Sequence, residues 1–89
     1  MLQPIYRKSF EKDIKRIKKR GKDMEKLKEV ILILLDKKLL PTRCRDHALL
    51  GNYIDHRECH IEPDWLLIYK PTEQTLILER TGSHSDLFK

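Results

Sequence analysis

The stretch YIDHRECHIEPDWLLIYKPTEQTLILERTG, residues 53–82, decides the fold. Two short segments punctuate it, EPDW at 62–65 and PTEQ at 71–74, and both carry the proline and polar residues that tight turns use. Between them WLLIYK, residues 65–70, is apolar at consecutive positions, which suits a strand covered on both faces at the centre of a sheet. Before it, YIDHRECHI alternates: Ile54, His56, Glu58 and His60 share one side, and Tyr53, Asp55, Arg57, Cys59 and Ile61 the other. After it, TLILERT forms the last long strand, which Gly82 breaks, leaving SHSDLFK as a short tail. The pattern predicts a three-stranded antiparallel meander. It leaves open which face carries Arg80. Leu76 and Leu78 share its side in a regular strand, and only a bulge or a doubly covered strand resolves the conflict.

Working outward, LQPIY near the start reads as a short strand that Pro4 confines to an edge. Ser9 is placed to cap a helix in which Phe10, Ile14 and Ile17 form one apolar stripe at i, i+4 and i+7. Gly21 ends that helix, and Asp23 caps a second whose apolar positions are Met24, Leu27, Ile31, Leu34 and Leu35. DKKLLP closes it, since the residue before Pro41 is biased away from helix. TRCRDHALLGN, residues 42–52, has no clean period and reads as a loop with a Gly51–Asn52 turn. The whole is an α+β domain: N-terminal edge strand, helical hairpin, then the meander, with the helices packed on one face of the sheet.

The 89 residues suit one domain, spanning 1–89, and the 39% hydrophobic content supports one modest core. A net charge of +5 favours a polyanionic partner, either nucleic acid or an acidic protein. Lys12, Lys15, Lys18 and Lys19 lie off the apolar stripe of the first helix. Such a face is more often plain solvated charge than a binding surface, but it is the natural place for phosphate contacts. The longest apolar run, VILILL at 30–35, is far short of the ~20 residues a membrane span needs. Residues 1–20 lack the apolar core of a signal peptide. Cys44 and Cys59 have no metal or disulfide spacing. The expected setting is the reducing cytoplasm, with no membrane partner.

All four histidines, His47, His56, His60 and His84, fall in the second half. On a strand His56 and His60 stand about 13 Å apart, at ~3.3 Å per residue, too far to share one metal ion. No metal and no cofactor is expected. With three glycines in the chain there is no phosphate-cradling loop, and no GxSxG elbow is present. What remains is His, Asp and Arg on neighbouring strands with a His in the tail. That set suits RNA cleavage: the 2'-hydroxyl must lose a proton, the 5'-oxygen must gain one, and the crowded phosphorus must have its charge balanced. Histidine meets the proton demands, and the arginine fork meets the phosphate. Any one of these histidines taken singly is more often an ordinary surface residue.

The segments KSFEKDIK, GKDMEKL, DHALLGNY, RECHIEPDWLLIYK and LERTGSHSDLF together resemble the YafQ-type toxins of bacterial type II toxin–antitoxin pairs, within the RelE/ParE superfamily. The resemblance implies a RelE-like domain and a cytoplasmic endoribonuclease that cuts mRNA in the ribosomal A site. Its partners would be ribosomal RNA, mRNA and an acidic, partly disordered antitoxin. It places His47 at the histidine of the DH pair, His60 at that of HxEPD, Asp64 and Trp65 at PDW, and Arg80 at ERTG. His84 matches the tail histidine and Phe88 the aromatic near the C-terminus. HALLG departs from the HPLxG form in the loop around His47. The implied roles are His84 as general acid, Arg80 as phosphate clamp, and His60 as general base oriented by Asp64. Trp65 packs, stacks a base, or does both; Phe88 stacks. His56 has no counterpart and reads as a surface residue. Two other readings stand beside this one on the same fold: a ParE-like gyrase inhibitor, and an RNA-binding module without catalysis.

Overall fold

The computed structural model describes residues 1–88. Strand β4 (Trp65–Pro71) is its centre, and Trp65 through Tyr69 are all buried, as a strand covered on both faces requires. It pairs antiparallel with β3 (Arg57–Glu62) on one side and β5 (Thr75–Gly82) on the other. The meander is extended at both ends into a mixed five-stranded sheet of order β1-β5-β4-β3-β2. Strand β1 (Gln3–Tyr6) lies parallel to β5 as an edge, where Pro4 costs no sheet hydrogen bond. Strand β2 (His47–Ala48) forms inside the stretch expected as a loop, pairing with Glu58 and Arg57, between short helical turns at Thr42–Cys44 and Gly51–Tyr53. Two residues carry too little pattern to be read as a strand.

Helix α1 (Lys8–Lys19) follows β1 directly. Ser9 does not cap it. Arg7 holds the cap position because its N–H is still bound to the Leu78 carbonyl, so Ser9 enters the first turn and donates instead to the Glu79 carbonyl. The C-terminal end is as expected: Gly21 at φ +76° lets its own N–H reach Lys18 and that of Lys22 reach Ile17. Helix α2 (Met24–Leu35) is capped by the Asp23 side chain, which accepts from the Glu25 N–H. It stops well before Pro41 through the same hydrogen-bond pair, Lys37 to Leu34 and Lys38 to Ile33, with Lys37 at φ +57°. Both helices bury their stripes on one face of the sheet against Cys59, Trp65, Leu67, Tyr69, Leu76 and Leu78. The opposite face holds a smaller cluster, Leu66, Ile68 and Leu87 with Leu49 and Tyr53.

Leu87 comes from the segment expected as a tail, which is a third helix, α3 (His84–Leu87). Ser83 and Asp86 form a reciprocal capping box, each side chain accepting from the other's backbone N–H. Gly82 permits the approach, since a Cβ there would stand 2.8 Å from the Asp86 carboxylate. Among the described residues, no helix is long and apolar enough to cross a membrane.

Candidate active site

Paired residues on neighbouring strands point to the same face, so the register alone builds a row. His47, Glu58, Ile68 and Arg80 form one rung across β2, β3, β4 and β5, and His60, Leu66 and Gly82 form another across β3, β4 and β5. Both rungs lie on the face opposite α1 and α2. Arg80 reaches that face because of a bulge: Tyr69 pairs with Leu78 and Ile68 with Arg80, leaving Glu79 as the extra residue. The bulge breaks the parity that ties Arg80 to Leu76 and Leu78.

Glu58 is 6% exposed and sits between two imidazoles, its Oε1 3.8 Å from His47 Nε2 and 3.6 Å from His60 Nε2. Each ring has its Nδ1 engaged by a backbone carbonyl, Arg45 at 2.7 Å for His47 and Pro63 at 3.2 Å for His60. A carbonyl only accepts, so Nδ1 carries the proton in both rings and Nε2 is the working atom.

His84 opens α3 with its ring 5.9 Å from that of His60 and 6.4 Å from Phe88. Asp64 does not orient His60. Its Oδ1 accepts from both the backbone N–H of His84 (2.9 Å) and Nδ1 of His84 (2.7 Å). Beside it the β3–β4 register shifts between His60 and Glu62, a second irregularity, and the hairpin tip places Asp64 against the start of α3. The hydrogen bonds from the His84 backbone and ring hold the Asp64 carboxyl below its ordinary range. Among the described residues nothing engages His84 Nε2, on a side chain 55% exposed. Phe88, half exposed, meets Tyr53 edge-on at 6.2 Å and closes this end of the row.

The remaining residues stand apart from the row. Trp65 is 1% exposed, on the helix-covered face, with Nε1 donating to the Thr81 hydroxyl at 3.0 Å, so its ring presents no surface to a base. His56 is no surface residue. Asp55 at φ +70° delays β3 until Arg57, and His56 folds under, with Nε2 3.2 Å from Glu79 and its ring edge-on to Tyr53. Lys12, Lys15, Lys18 and Lys19 are exposed on α1 but are not gathered at the histidine row. Arg16 of α1 and Arg20, its C-cap, are the side chains that reach α3, where they pair with Asp86. Glu58 and the α1 carboxylate Asp13, which binds Arg80, escaped sequence reading. The alternation of Glu58 with His60 was the available signal for the first; for the second it was the place of Asp13 on the Phe10, Ile14 and Ile17 stripe, an acid at a core-facing position.

The family described as "Bacterial toxin of type II toxin-antitoxin system, YafQ" matches residues 2–89. The mRNA interferase toxin YafQ of Escherichia coli K12 is 46% identical over 84 residues, covering 93% of this chain and 91% of that protein. The toxin in the E. coli DinJ–YafQ toxin–antitoxin complex superposes with a TM-score of 0.92 at 43% identity, covering 99% of this chain and 98% of that one. A copper-bound mutant toxin from Helicobacter pylori gives a TM-score of 0.94 at 46% identity, covering 99% of this chain and all of that one.

Proposed function

This chain belongs to the YafQ family of bacterial type II toxins, and from that premise we propose that it is a cytoplasmic mRNA interferase acting on mRNA in the ribosomal A site, neutralised by a cognate antitoxin. His60 takes the proton of the 2'-hydroxyl at Nε2, with Glu58 beside it. The freed oxygen attacks phosphorus, Arg80 balances the growing negative charge, and His84 protonates the departing 5'-oxygen from Nε2. His47 completes the row from the far side of Glu58. Phe88 offers a ring on which a base can stack. The reading rests on one observation above the others: His84 is hydrogen-bonded to Asp64 at Nδ1 and, among the described residues, free at Nε2, 5.9 Å ring to ring from a second oriented imidazole. A binding protein that performs no proton transfer has no use for that pairing. Among the described residues no three His, Cys, Asp or Glu side chains are gathered to hold a metal ion, and no step here is routed through one.

Expression without an antitoxin, followed by mapping of mRNA 5' ends, tests the proposal. New 5' ends within coding frames are the expected result. Intact transcripts with broken chromosomal DNA would instead identify a gyrase poison, and ribosome binding with neither kind of damage a non-catalytic binder.

A further inference from the structure

Helix α1 carries one acid on its inner side. Asp13 is 1% exposed, on a segment otherwise dense in lysine. A buried carboxylate is costly unless its oxygens are satisfied, and here both are. Oδ2 accepts from Arg80 Nε at 2.7 Å and from the Thr81 backbone N–H at 3.0 Å. Oδ1 accepts from Arg80 Nη2 at 3.2 Å and pairs with Arg16 at 3.3 Å.

This arrangement follows from topology. Strand β1 pairs with β5 only as far as Leu78, and beyond it α1 takes over the same edge, with Ser9 on the Glu79 carbonyl and Asp13 on the Thr81 N–H. The strand edge that receives Asp13 is therefore the one next to the bulge that turns Arg80 onto the histidine face.

We propose that Asp13 is a positioning residue for Arg80. Resting on the nuclease reading, the inference names what aims the phosphate clamp. A guanidinium has five N–H donors in a fixed fork. Asp13 engages one edge of it, Nε and one hydrogen of Nη2, and leaves the outer edge, beside the Tyr53 hydroxyl, to face phosphate oxygens. Because the same carboxylate also grips the Thr81 backbone, the guanidinium is locked to the strand that carries it. A merely structural acid would seal the edge of β5 and do nothing for Arg80. An acid that competes with phosphate would hold Arg80 back.

Cleavage of ribosome-bound mRNA under single-turnover conditions separates these roles, comparing the unmodified protein, Asp13→Asn, Arg80→Ala and the double variant. Asn has nearly the shape of Asp but cannot accept from Nε and Nη2 together. Asp13→Asn is expected to lower the rate about 10- to 100-fold, the cost of misplacing a catalytic group. Ribosome affinity should be retained within about twofold, and in the Arg80→Ala background the same change should cost nothing more. An unchanged or raised rate in Asp13→Asn, or an equal loss in both backgrounds, overturns the proposal. Should the Asn variant not fold, the Arg80 Nε–H resonance of the unmodified protein decides. Protection from solvent exchange supports the anchored guanidinium, and exchange at the rate of a free arginine overturns it. An unmodified protein that cuts no mRNA fails the nuclease reading, while that resonance still reports on Asp13.

Discussion

An imidazole serves as a directed acid when one nitrogen is held and the other is free, and His84 meets that condition through Asp64. His84→Ala should lower the mRNA cleavage rate about 10²- to 10⁴-fold, the usual worth of a general acid. Its side chain is more than half exposed, so the thermal midpoint should barely move. Rate and midpoint measured on one preparation check both halves. Trp65 predicts the reverse. Buried and bonded to Thr81, it belongs to the core. Trp65→Ala should cost about 3–5 kcal/mol in urea unfolding. Little of this contrast is visible in the residues: Trp65 opens a strand and His84 a tail, and the family resemblance marks both. Partner and burial separate them, and neither is local in sequence.

Two elements are held by chemistry that a periodicity cannot carry. Helix α3 has four residues, too few to stand alone, and depends on its capping box and on Asp86 bound to Arg20 at 2.6 and 2.9 Å. That bond holds the Asp86 carboxyl well below its ordinary value of 3.8. A depressed folded-state pKa means that the contribution is complete above that value and fades as pH falls beneath it. Protection from hydrogen exchange at His84 through Leu87, taken relative to the intrinsic rate at each pH, should therefore fall on acidification below about pH 4, before the sheet opens; simultaneous loss of both would show that α3 has no separate anchor. The end of α2 makes a second case. Lys37 sits in the left-handed region that glycine occupies without strain. Lys37→Gly should stabilise the protein by about 1 kcal/mol in denaturant titration. The long strands and both long helices were legible because their apolar residues repeat. Strand β2 and helix α3 were not, since two and four residues hold no period; the bulge at Glu79 showed only as the parity conflict of Arg80 with Leu76 and Leu78, which a doubly covered strand would have explained as well.

Across the molecule, charge and chemistry are set apart. The histidine row faces one way, and the lysines of α1 lie exposed on a helix packed behind the sheet. If those lysines grip ribosomal phosphates, replacing Lys12, Lys15, Lys18 and Lys19 with glutamine should weaken ribosome binding and flatten its salt dependence by roughly 0.7–0.9 in slope per contact. The rate on saturated ribosomes should hold, since such groups bind ground and transition states alike. Unchanged affinity and slope would leave them as solubilising surface. The parallel pairing of Gln3 with Thr75 and of Tyr6 with Leu78 has a consequence of another kind. Residues 3–6 have no sheet partner until residues 75–78 exist, and the loop that their pairing closes spans most of the fold. Arg80 lies in β5 just past that pairing, so the α1 anchor beside it and the histidine row come together only when this long-range contact forms.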